Sequence, residues 1–151
     1  MKNTKKLYIV AFTLLLSNAL PGVTHAQSWE SVEPLLATAD AVAGKQQAQI
    51  CTACHSFDKG GANKIGPNLY GIVNKAPAKA AGFAYSDGMK SIQGKKWTYD
   101  ALDHFIFDPK SYVAGTKMLF AGVKDRKKRA DIIAWLNGLS DSPAPLPKSK
   151  K

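Results

Sequence analysis

Apolar positions along the chain fall into separated clusters, with no strand-like alternation of useful length and no internal repeat. The first cluster, residues 7–20, is a run broken only by Thr13, Ser17 and Asn18. Trp29, Val32, Leu35 and Leu36 then gather around Pro34, which reads as a short arm or a single helical turn. Asp40 can cap a helix through the Ala- and Gln-rich stretch that reaches about Cys51. Residues 55–82 are rich in Gly, Pro, Asn and Lys and read as loop, with turns at Gly60-Gly61 and Gly66-Pro67-Asn68. A short helix is predicted over 86–91. Thr98 or Asp100 can cap the next, whose Leu102, Phe105 and Ile106 stand at i, i+3 and i+4. That helix must stop before Pro109. Asp125 can cap a last helix carrying Ile132, Ile133, Trp135, Leu136 and Leu139, with Gly138 as its C-cap. Arg126, Lys127, Lys128 and Arg129 crowd its first turns, where cations oppose the helix dipole. The class is therefore all-α with long loops, and so much loop needs a large buried object to pack against.

Charge and targeting signals change the picture at the start of the chain. Lys2, Lys5 and Lys6 precede the first apolar run, and Thr24-His25-Ala26 places small residues before a cut. This is a secretory signal pattern with cleavage expected after Ala26. The run is short for a membrane span, which needs about 20 residues, and an uncleaved anchor is the competing reading. Removing those three lysines from 21 basic residues leaves 18 against 11 acidic ones, a net charge of +7. Such a balance favours acidic partners, or is simply a soluble basic surface. No basic helix with interleaved aromatics marks a nucleic-acid binder. The expected layout is a signal segment over 1–26, an arm over 27–39, one domain over 40–141, and a flexible Pro/Lys-rich tail over 142–151.

The chain has two cysteines, three positions apart, in Cys51-Thr52-Ala53-Cys54-His55. Two cysteines cannot build a disulfide framework, but this spacing is the c-type haem attachment pattern. Two thiols must reach neighbouring vinyl groups on one porphyrin edge, and one helical turn supplies that separation. The adjacent histidine then offers a nitrogen to the iron. Export fits as well, because haem is attached to such chains outside the bacterial cytoplasm. A thioredoxin-type pair would need a βαβ context. Zinc would need four ligands, and a plain disulfide leaves His55 without a task. For a second axial ligand, the chain after residue 26 offers Met89, Met118 and His104. His104 should point away from the apolar face of its helix. Met118 sits in Gly115-Thr116-Lys117-Met118-Leu119-Phe120, between two helices. On composition alone it is equally a ligand or a core methionine.

From about residue 43 to 140 the sequence resembles the class I cytochromes c, of the mitochondrial and soluble bacterial kind. The resemblance rests on the attachment motif, Gly66-Pro67-Asn68-Leu69-Tyr70-Gly71, Gly82-Phe83-Ala84-Tyr85-Ser86, Trp97, Pro109-Lys110-Ser111-Tyr112, Gly115-Thr116-Lys117-Met118 and Arg129-Ala130-Asp131-Ile132-Ile133-Ala134-Trp135-Leu136, in that order. It implies a cytochrome c fold around one covalent haem c, with the first and last helices crossing. It implies Met118 as the sixth ligand, with Thr116 in its loop. The Pro67 carbonyl would accept from the outer nitrogen of His55, a bond that fixes the ring. Tyr85 and Trp97 would hydrogen-bond a propionate. Lys45, Lys64, Lys110, Lys117 and Lys124 would ring the exposed edge and steer acidic partners. Several positions depart from the family pattern. Gln47 and Ala48 stand where an aromatic is usual, and Trp135 can fill that gap. Met89 replaces a common Asn, and Phe105 a common Tyr. Lys75 replaces Arg, which loses a bidentate fork. Ala114 replaces Pro, and Ile50 replaces a rim lysine.

The function expected is that of a periplasmic, mono-haem, diffusible one-electron carrier, not an enzyme. It would be monomeric, serve acidic redox proteins and meet membranes only through partner complexes. A ligand sensor or peroxidase-like protein would need a labile Met118. An electron-entry subunit of a larger oxidoreductase would dock through the arm, using Trp29, Leu35 and Leu36, or through the tail.

Overall fold

A computed structural model describes residues 29–148; the signal segment, the cut after Ala26 and the last three residues lie outside the described residues. Six helices form in order: α1 Glu33–Leu36, α2 Ala41–Gln47, α3 Asp87–Lys90, α4 Tyr99–Phe107, α5 Pro109–Tyr112 and α6 Arg126–Gly138. Among the described residues there is no strand, and no helix is long and apolar enough to cross a membrane. The fold is all-α, with α2 crossing α6. At the crossing Gly44 lies against the Asp131 carbonyl, where any Cβ would overlap it. Asp131 also accepts from the Asp40 amide at 2.8 Å, which locks the start of α2 onto α6.

Three helix starts follow their expected caps. Asp40 accepts from the Val42 and Ala43 amides, Thr98 from Ala101, and Asp125 from Lys128. Each such cap contributes about 1 kcal/mol. Ser86 likewise caps α3 through the Met89 amide. The first long helix differs from expectation in its second half. It tightens after Gln47 into a 3-10 stretch, Ala48–Ala53, which carries the cysteine motif. Pro109 ends α4 as expected, but it also begins α5. A proline costs nothing at a first helical position, and Asp108 caps the new turn through the Ser111 amide. Gly138 is the last helical residue, and Leu139 takes the capping place.

The arm forms the expected single helical turn, α1, but both ends of the described chain are packed more firmly than expected. Val32 is 0% and Leu36 1% exposed, packed in one cluster with Trp97, Tyr99, Leu102, Val113 and Ile133. Of the expected apolar docking patch, Leu36 is thus spent inside the protein's own core and Leu35 is half-buried, while Trp29 keeps an exposed face. Asp100 holds this arm by accepting from the Ser31 hydroxyl and the Val32 amide. At the other end, Ala144 exchanges two bonds with the Asn137 side chain, and Tyr99 donates to its carbonyl. The tail is thus not flexible from residue 142; it is tied down as far as Ala144 and Pro145.

The cations of α6 also behave differently from a cluster fighting the dipole. Arg126 pairs with Glu30 and donates to the Ser31 carbonyl. Lys127 pairs with Asp131 one turn on. Arg129 turns inward, 3% exposed, onto Asp103, which is 0% exposed.

Candidate haem site

The 3-10 stretch brings the attachment motif into one compact turn. The amides of Cys54 and His55 both reach the Cys51 carbonyl, at 3.1 and 2.9 Å. The two cysteines form no disulfide and are half-buried. Burial, and then the neighbouring Cys54, push the Cys51 thiol up, so it stays protonated near neutrality.

His55 is buried, and its Nδ1–H donates to the Pro67 carbonyl at 2.7 Å. That bond assigns the tautomer and leaves Nε2 with its lone pair. Burial holds the imidazole below its ordinary pKa, which the Pro67 bond opposes and Lys64 reinforces. The ring is therefore neutral, as an iron ligand requires. Gly66 lies flat against this ring; a Cβ there would overlap Cε1. The loop beneath is stitched to the motif. Gly66 donates to the Cys54 carbonyl, Leu69 to Ser56, and the Asn68 amide group to the Ser56 hydroxyl and the Asp58 carbonyl.

Met118 lies in the loop between α5 and α6, half-buried. Its amide donates to the Thr116 hydroxyl at 3.2 Å. The loop is pinned at both ends by glycines. The Ala114 carbonyl rests on Gly88, and Gly122, at φ +86°, rests on the Phe107 carbonyl; neither site has room for a Cβ. Val123 then donates to the Ile106 carbonyl at 2.9 Å. Met89, the other sulfur, is packed in the core cluster with Trp97 and Leu102. His104 is not the plain surface histidine expected. Its ring packs against Trp29 at a tilt of 54°, with centroids 3.6 Å apart, and meets Tyr112 edge-on at 5.7 Å.

The residues present suit a covalent haem. Two cysteines and one oriented, neutral imidazole stand within five consecutive positions. Tyr85 accepts from the Ala80 amide at 3.2 Å, which leaves its own hydroxyl hydrogen uncommitted. Trp97 is buried against Phe105, and among the described residues no protein acceptor takes its indole N–H. Both are donors that a propionate could use. A rival metal centre has no support: among the described residues no three His, Cys, Asp or Glu side chains gather to hold an ion.

The five rim lysines divide into two kinds. All five are exposed, and among the described residues the side chains of Lys45, Lys110 and Lys117 have no hydrogen-bond or ion-pair partner. Lys64 instead donates to the Thr52 carbonyl and, at 3.5 Å, to that of His55. Lys124 donates to the Phe107 carbonyl at 2.7 Å, with its ammonium 4.1 Å from that ring's centroid. Near the aromatic gap, Trp135 packs against the cluster that holds Ala48. Its ring packs against Phe57 at 4.8 Å, while the buried Gln47 Oε1 finds no hydrogen-bond partner.

The chain matches the Cytochrome c family model over residues 41–140. A cytochrome c homolog of Bradyrhizobium diazoefficiens is 47% identical over 131 residues, covering 86% of this chain and 71% of that protein. A cytochrome c2 of Blastochloris viridis is 44% identical over 106 residues, 70% of this chain and 82% of that one. Among solved structures, cytochrome cH from Methylobacterium extorquens is similar with a TM-score of 0.61 and 43% identity, covering 66% of this chain and 98% of that chain.

Proposed function

The chain belongs to the cytochrome c family and carries one covalent haem c, and from that premise we propose that it is a diffusible electron carrier of the periplasm, with iron held by His55 and Met118. When bound, the haem supplies a one-electron Fe(III)/Fe(II) couple, and His/Met ligation raises its potential. The chain's residues divide the remaining work. Cys51 and Cys54 form the thioethers, and the Pro67 bond keeps His55 aimed. Tyr85 and Trp97 take the propionates, and Thr116 orients the backbone of Met118. With both axial places filled, the protein has no reaction to catalyse at iron and needs only to dock and release.

The observation that carries this reading is the pairing of an oriented, neutral His55 with a methionine on a loop pinned at both ends. A pinned loop argues against the sensor and peroxidase readings, which need Met118 to leave. The buried Val32 and Leu36 argue against the electron-entry subunit, because they leave the exposed face of Trp29 as the arm's main apolar surface for a partner. Docking falls to the free ammonium groups of Lys45, Lys110 and Lys117, with Lys64 and Lys124 adding charge from fixed positions. The partners are acidic redox proteins, and the carrier works as a monomer.

Stopped-flow oxidation of the reduced protein by an anionic and by a cationic small complex tests this. The anionic reagent should react faster, and its advantage should shrink as salt shortens the Debye length from about 30 Å at 0.01 M to about 8 Å at 0.15 M. Equal rates for the two reagents, or fast consumption of peroxide by the resting protein, would overturn the assignment.

A further inference from the structure

We propose that the buried Asp103–Arg129 pair, sealed by Trp29 of the N-terminal arm, is a positioning device that holds the Met118 loop closed. The inference rests on Met118 being the sixth ligand. Arg129 Nε donates to Asp103 Oδ1 at 2.6 Å, and Nη2 reaches Oδ2 at 3.4 Å. Its Nη1 donates to the carbonyls of Val123 and Lys124, at 3.0 and 2.9 Å. One planar group therefore joins α4, α6 and the last residues of the ligand loop. Arginine alone offers donors in a fork of this shape.

The clamp acts where the loop has little else. Between residues 116 and 122 two of the loop's amides are bonded among the described residues, Thr116 to the Val113 carbonyl and Met118 to the Thr116 hydroxyl, and both bonds lie at the loop's start. Its closing end rests on α4 through Val123 to Ile106 and through Lys124 to the Phe107 carbonyl. Arg129 binds the two carbonyls of that same Val123–Lys124 pair. Asp103 fixes the guanidinium plane, and its own burial leaves it no other cation among the described residues.

The arm completes the site. The Arg129 guanidinium lies 5.6 Å from the centroid of Trp29 and 5.1 Å from that of Phe107. Both rings keep water from the pair, and a drier pair is a stiffer one. Glu30 and Ser31 anchor this cover to Arg126, one turn earlier on α6. The arm thereby acts on Met118 without touching it.

Imidazole competition in the haem-loaded ferric protein reads this directly. A foreign ligand binds only the open loop, so its apparent affinity rises in proportion to the open fraction. The readout is the weak red absorption band that ferric haem loses when its methionine leaves; Met118→Ala, lacking the band, is the reference. Arg129→Lys keeps the charge and loses the fork. The double change Asp103→Leu with Arg129→Met removes the clamp, yet apolar replacement of a buried pair commonly preserves folding. Far-UV dichroism checks the helices of each variant. Both should lose half the band at about tenfold lower imidazole, and Trp29→Ala should shift the same way by less. Folded variants with the wild-type midpoint would overturn the proposal. Should neither variant fold, the wild type still decides: saturating imidazole must speed hydrogen exchange at the Val123 amide, and unchanged exchange removes the clamp. A wild type with no red band sinks the Met118 reading itself.

Discussion

The two sides of the haem site are built by different means. On the His55 side, ligand, thiols and stitching lie within residues 51–69, and most bonds there span fewer than fifteen positions. On the Met118 side, the loop is held from far away. Gly88 receives its start, Phe107 its end, and Arg129 its last carbonyls, with Asp103 behind. The first side resembles a local motif that folds by contact with its neighbours. The second exists only once α3, α4 and α6 are in place. Covalent capture belongs to the first side; the potential, which depends on keeping a sulfur at the iron, belongs to the second.

Breaking the first side should have the largest effect. Cys51→Ala with Cys54→Ala removes both thioethers, and denatured protein should then show no haem stain. Met118→Ala should keep the stain and lower the midpoint potential by a few tenths of a volt, within the span of about 0.8 V that axial ligands cover. A double-cysteine variant that retained covalent haem would erase the distinction between the sides.

The next effect falls on stability. Asp103→Asn leaves the Arg129 charge buried without its carboxylate, which typically costs about 3–5 kcal/mol. Urea unfolding should register that loss with little change in the denaturant slope. Gly122→Ala places a Cβ on the Phe107 carbonyl at φ +86°. Strain of this kind costs about 1–3 kcal/mol, and it should loosen Met118 before His55. An alanine at Gly122 that left both stability and the red band untouched would mean the loop is not pinned there.

The smallest expected effect concerns the arm. Burial beneath Trp29 lowers the pKa of His104 from 6.5, although Asp103 and Asp100 pull it up and Arg129 adds to the lowering. The unfolded chain then takes up the proton first as pH falls. His104 therefore contributes stability above about pH 6.5 that is lost as pH drops through its folded-state pKa. His104→Gln should flatten the dependence of the urea midpoint on pH in that window. An unchanged slope would mean the histidine is open to water despite its contact with Trp29.

Legibility in the sequence followed the same division. Asp40, Thr98 and Asp125 announced their helices because a cap is a local event. The attachment motif was readable because its chemistry fixes five consecutive positions. The clamp was not, since Asp103 and Arg129 stand 26 residues apart and each looks like an ordinary helix-surface charge. A signal did exist. Arg129 lies three and four positions before Ile132 and Ile133, on the buried face of α6, and Asp103 directly follows the buried Leu102. A charge on an apolar face needs a partner, and these two are complementary. The arm misled for a related reason. Trp29, Leu35 and Leu36 suggested a free patch, whereas Leu36, with Val32, packs against Leu102 of α4 and Ile133 of α6 in a core that only the folded chain presents.

An equilibrium redox titration of the purified haem protein, followed through its absorption spectrum, tests the central claim most directly. Ligation by His55 and Met118 predicts one reversible one-electron wave at a clearly positive midpoint, with the red methionine band present in the oxidised form. A strongly negative midpoint, or a high-spin spectrum in the resting state, would contradict it.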